Sequence, residues 1–161
     1  MKTLILGLGN PLLTDDGVGW HVIGALRERE APDPDVEIEE CCRGGLALME
    51  RMIGYDRVLV VDAIKTRAGA LPGTIHRLAP DDLPTQHSAS AHDASLSAAL
   101  ALGRAAGAHL PTNDEVLLIG IEAAETEVFD ERCTPSVAAA IPRAVEVLKD
   151  ELALERRPAW P

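Results

Sequence analysis

The stretch "LILGLGNPLLTDDGVGWHV", Leu4 to Val22, decides how the chain is read. An apolar run leads into Gly7 and Gly9, and apolar residues at helical spacing follow at Val18, Val22, Ile23 and Leu26. That order is a strand, a tight turn and a helix, which is how an α/β domain opens. A phosphate-binding turn would offer backbone N–H groups next, often with a Lys or Arg. Here Asp15 and Asp16 stand at the helix start instead, and two carboxylates repel a phosphate. The turn therefore reads as a cation site. The competing structural reading makes Thr14 an N-cap and puts both acids in the first helical turn, where they favour the macrodipole.

Outward from this stretch, strands and helices alternate. Strands are expected over 3–8, 36–40, 57–63, 73–78 and 115–123, and helices over 16–30, 45–54, 92–107 and 135–155. Pro142 should bend the last helix. The runs "RVLVVDA" and "EVLLIGIEA" are apolar on both faces, as in a parallel sheet covered on both sides. The fold expected is a single-domain three-layer α/β/α sandwich over 1–155 with a mostly parallel sheet, followed by a tail at 156–161. One long polar connection, "APDDLPTQHSASA" at 79–91, has no periodicity, and loops of that length are usually functional.

Composition narrows the class. With 161 residues and 47 % hydrophobic content the chain can build one sizeable core, and with 2 % aromatics that core rests on Ala, Val, Leu and Ile. No apolar run is long enough to span a bilayer, so no membrane role is expected. The glycines, Asn10 and Pro11 interrupt the N-terminal apolar run, which reads as a strand rather than a signal peptide. Cys41, Cys42 and Cys133 form no disulfide framework or zinc spacing, and a reducing cytoplasm is the expected compartment. A net charge of −11 argues against a nucleic-acid partner.

Ligands of an open α/β sheet bind beyond the carboxyl ends of its strands. The polar residues expected there are Asn10, Asp15 and Asp16 after the first strand, Asp62 at the end of "RVLVV", and His92 at the start of the third main helix. Asp, Asp and His suit a divalent transition ion. Each also has a structural reading: His92 could sit in a capping box formed by Ser90 and Asp93. His87 could be a second ligand or simply solvated, and His21 lies off the Asp16 face. His76 is expected to be exposed on an edge-like strand, and Glu122 and Glu125 could line the crevice. A Ser-His-Asp scheme built from Ser88 or Ser90 with His92 lacks a nucleophile-elbow sequence.

The chain resembles the hydrogenase maturation proteases, which trim the large subunit of [NiFe] hydrogenases. The matching pieces are "GLGNPLLTDDGVG" (7–19), "VVDAI" with "PGT" downstream (60–74), "SAHDASL" (90–96), "IGIE" (119–122) and "CTPSVAAAIPRAVEVL" (133–148). The resemblance implies that Asp16, Asp62 and His92 bind a metal, and that the metal is nickel presented by the substrate. It implies a partner, the [NiFe] hydrogenase large-subunit precursor, and a reaction, removal of its C-terminal extension after nickel insertion. The ion could act as a Lewis acid on the carbonyl and the attacking water, or only position the substrate while Asp16 or Asp62 serves as base. The protein is expected to act as a monomer.

Many family members carry Asp-Gly-Gly-Thr after the second strand, where substrate is thought to bind. Here the stretch is "ECCRGG", which nominates Glu40, Arg43, Gly44 and Gly45 for substrate contact and points to a different hydrogenase subgroup. The structural alternative is that Gly44 and Gly45 only enter a tight turn. Three rival readings stand beside it. "GLGNP" also resembles the opening of peptidyl-tRNA hydrolases, which need a basic groove. A dinucleotide-binding module would need a third glycine. A non-catalytic assembly chaperone of the same fold would not need the retained Asp16, Asp62 and His92.

Overall fold

The computed structural model describes residues 1–29, 31, 33–66, 70–82 and 95–155. Along them run β1 (Thr3–Leu8), α1 (Val18–Arg29), β2 (Val36–Cys41), α2 (Gly45–Arg51), β3 (Arg57–Ile64), β4 (Ile75–Leu78), α3 (Leu96–Ala105), β5 (Val116–Glu122), α4 (Pro135–Ala138) and α5 (Ile141–Glu155). The strands form one sheet in the order β2-β1-β3-β5-β4. All neighbours are parallel except β4, which pairs antiparallel with β5 at the edge.

The alternation of each central strand sorts its side chains into two cores. Ile5, Leu59, Val61, Ile119 and Ile121 face α1, α4 and α5, meeting Val22, Ile23, Val137, Val145 and Leu148. Leu4, Leu6, Val58, Val60 and Leu118 face α2 and α3, meeting Leu48, Met52, Ala99 and Leu100. The expected three-layer α/β/α sandwich is therefore the observed one. The chain leaves β1 toward β2 on one side of the sheet, then returns to β3 on the other side of β1. This reversal opens a crevice beyond the ends of β1 and β3, the position where α/β sheets hold ligands.

Three local expectations shift. The first helix does not start at Asp16: Thr14–Gly17 form a 3-10 turn and α1 begins at Val18. Pro142 does more than bend the last helix. Its ring would clash with the carbonyl of Ala138, four residues back, and the helix breaks there into α4 and α5. The third helix begins at Leu96, capped by Ser95, whose side chain accepts from the Ala98 N–H at 3.2 Å. Among the described residues, no helix is long and apolar enough to cross a membrane.

Candidate active site

The loop after β1 is built around one carboxylate. Gly9 holds φ at +126°, a region that side chains disfavour, and a Cβ there would strike the carbonyl oxygen of Asp16. The Asn10 N–H donates to Asp16 Oδ2 at 2.8 Å, and the Asp16 N–H donates to the Leu13 carbonyl at 2.9 Å. Asn10 Oδ1 in turn accepts from the Leu12 N–H at 3.0 Å. The half-buried Asp16 is thereby fixed at the crevice. Gly19 lets the next helix approach just as closely, because a Cβ there would hit the carbonyls of Leu8 and Val61. Gly9→Ala should therefore lose about 2 kcal/mol of stability and most site function. Urea denaturation and a cleavage assay on the same preparation check this.

Asp62 comes from β3, where it pairs across the sheet with Gly120 and lies two residues before the strand ends. Its half-buried carboxyl is pushed up to about 7, first by desolvation and then by the negative charge of Asp16, while the Ala63 N–H pulls the other way. The charge of Asp16 thus reaches Asp62 across the crevice. Two facing carboxylates of this kind favour either a shared proton or a cation between them. Oxygen donors fit a hard or borderline divalent ion. Among the described residues no group of three metal-ligating side chains comes together. His92 lies outside the described residues, as do His87, Ser88, Ser90, Asp93 and the tail at 156–161.

Asp15 behaves unlike its neighbour. It is fully buried, and it points away from any ligand role. Its carboxylate accepts from the Ala124 N–H (2.9 Å), the Glu125 N–H (3.0 Å), the Thr134 N–H (2.7 Å) and the Thr134 hydroxyl (2.9 Å). Thr14 is not the expected N-cap: it sits at φ +45° and its hydroxyl donates to the Val128 carbonyl at 2.5 Å. The acid pair is thus neither a helix-dipole device nor a double ligand. One acid clamps the loop and the other faces the crevice.

The residues nominated for substrate contact divide. Glu40 is ion-paired with Arg27 of α1, which occupies its carboxylate. Arg43 is exposed and its carbonyl accepts from the Cys41 thiol at 3.3 Å. Gly44 is the extended residue before α2 and its carbonyl takes the Leu48 N–H, while Gly45 starts α2 at φ +57°. Both glycines therefore also carry the turn geometry of the structural alternative. Cys41 packs against the α2/α3 core, Cys42 is exposed, and Cys133 is half-buried with its thiol pushed up to about 11 by burial and then by Asp15.

A second polar cluster on the same sheet face joins Glu122, expected at the crevice, to Thr66 and His76, a pairing that spacing alone does not signal. Glu122, 2 % exposed, lies on the diagonal from Asp62. Its carboxylate accepts from the Thr66 N–H (2.9 Å) and the Thr66 hydroxyl (3.0 Å), and His76 Nε2 lies 3.2 Å away. His76 is therefore half-buried and partnered, not simply exposed. The pair holds the chain leaving β3 against the sheet. Glu122→Ala should cost about 2–3 kcal/mol by stranding these donors, and Glu122→Gln less, which denaturant midpoints would read.

A family model described as hydrogenase maturation protease matches residues 20–151. The hydrogenase 2 maturation protease of Escherichia coli is 32 % identical over 150 residues, 91 % of this chain and 87 % of that protein. The hydrogenase expression/formation protein HupD of Thiocapsa roseopersicina is 29 % identical over 155 residues, covering 94 % and 68 % respectively. Among solved structures, the hydrogenase maturating endopeptidase HybD from E. coli superposes with a TM-score of 0.80 at 30 % identity, covering 97 % of this chain and 94 % of that one.

Proposed function

This chain belongs to the hydrogenase maturation proteases, and we propose that it cuts the C-terminal extension from a nickel-loaded [NiFe] hydrogenase large-subunit precursor. It is a peptidase of hydrogenase maturation. Asp16, Asp62 and His92 are the residues proposed to meet the nickel that the precursor carries. The observation that carries this reading is the placement of Asp16, held by the Asn10 N–H after β1, and of Asp62, two residues before the end of β3, at the crevice between these strands, where their negative charges repel. A divalent ion entering between them turns that repulsion into attraction.

The substrate's nickel supplies Lewis acidity when it is bound. Asp16 is oriented for a ligand or base role by the Asn10 N–H. Asp62, with its carboxyl near 7, exchanges a proton close to neutral pH, which suits a general base acting on water. This is an aspartic-type endopeptidase in which carboxylates serve the ion and the water. Glu40 contributes by holding Arg27, and Arg43 with Gly44 and Gly45 borders the route by which the precursor enters. The three free cysteines fit a reducing cytoplasm.

The test is the intact mass of the precursor, nickel-loaded or nickel-free, after incubation with the unmutated protein or with Asp16→Ala. Loss of one discrete C-terminal peptide is expected only from the loaded precursor and only with the unmutated protein. Equal cleavage of both forms would overturn the nickel-dependent reading.

A further inference from the structure

The chain has a single phenylalanine, and it is not in the core: Phe129 is 80 % exposed. Val128 beside it is 55 % exposed and Leu12 is 50 % exposed. We propose that Leu12, Val128 and Phe129 form a docking surface for an apolar side chain of the polypeptide that the Asp16 site cuts, an inference that rests on the protease reading above.

Backbone pairing joins the surface to the site. Leu13 and Asp130 form a parallel bridge, made by the Asp130 N–H to the Leu12 carbonyl (3.1 Å) and the Thr14 N–H to the Asp130 carbonyl (2.8 Å). One residue back in that register, Leu12 stands level with Phe129. The Val128 carbonyl is held by the Thr14 hydroxyl, and the Val128 N–H donates to Glu125 Oε1 at 3.3 Å. The Leu13 carbonyl that ends this pairing is the acceptor for the Asp16 N–H. The apolar surface is thus a fixed continuation of the loop that wraps Asp16. A Phe side chain on a backbone held this way can bury about 150–250 Å² at the cost of ordering the ring alone.

Charge selects among possible occupants. Glu127 and Glu131 flank the surface and are exposed, and the chain carries a net charge of −11. A second copy would bring the same acids against themselves. An anionic membrane would meet them too. A polypeptide with an apolar anchor and no acidic flank meets neither penalty.

The experiment measures kcat and KM on the nickel-loaded precursor for the unmutated protein, Phe129→Asp, Phe129→Leu and Leu102→Asp. Leu102 is 59 % exposed on α3 and serves as the control for adding an acid to an exposed apolar site. Phe129→Asp should raise KM about tenfold or more with kcat within about twofold, as loss of an aromatic anchor does. Phe129→Leu should restore most of the KM, and Leu102→Asp should leave both constants alone. An unchanged KM in Phe129→Asp would overturn the docking surface while the protease reading stands. Absence of cleavage and binding by the unmutated protein would overturn both. Self-association that Phe129→Asp abolishes would give the surface to a second copy and overturn the proposal.

Discussion

Asp62→Asn is expected to make the metal-free protein more stable at pH 8 while it abolishes cleavage. The sign follows from the raised carboxyl. In the unfolded chain Asp62 ionises near its ordinary 3.8, and in the folded protein near 7. Below about pH 4 both states hold the neutral acid, so the two proteins should match. Between about pH 4 and 7 the unfolded state ionises first, and wild-type stability drains away. Above pH 7 the loss is complete, at about 2–4 kcal/mol. Asn carries no such charge and escapes the loss. Urea midpoints should therefore coincide near pH 4 and separate by pH 8, with Asp62→Asn the more stable. A midpoint lowered equally at both pH values would mean that Asp62 is a structural acid and not a strained site group.

Asp15→Ala should do the opposite, with no gain at any pH. It removes the acceptor of three backbone N–H groups and one hydroxyl in a fully buried position. Stranding that many donors should cost about 3–5 kcal/mol, or on the order of 10 °C in melting temperature for a domain of this size. The clamp joins the Thr14–Gly17 turn to residues 124–125 and to the start of α4, so cleavage should fall with it. Asp15→Asn keeps one acceptor oxygen but turns an NH₂ group toward N–H donors, and should recover only part of the loss. Calorimetric melting of the three proteins measures this ranking.

The second prediction singles out one of two neighbouring acids, Asp15 and Asp16, that one sequence pattern treats alike. "TDD" after a glycine turn announces carboxylates at a sheet edge, and Asp16 is found there. Nothing within the stretch says that Asp15 turns inward, because its partners stand 109 to 119 residues away. Local pattern was enough for β1, α1, β3 and β5. Their apolar periods are strong, and the alternation assigns each face. It was not enough for the Glu122–His76 pair, which depends on an antiparallel register between β4 and β5 that spacing does not encode. The break before Pro142 was half legible: the ring announces a disturbance, but whether a helix bends or splits depends on what holds its two halves. Here Val137 and Val145 anchor α4 and α5 in the same core.

Titration of nickel into the protein, followed by calorimetry in two buffers of different ionisation enthalpy, tests the central claim most directly. One divalent ion should bind per chain, with a proton released on binding below pH 7, since Asp62 must give up its proton. Binding should be at least about tenfold weaker in each of Asp16→Ala, Asp62→Ala and His92→Ala. Nickel binding that survives all three substitutions unchanged would contradict the claim.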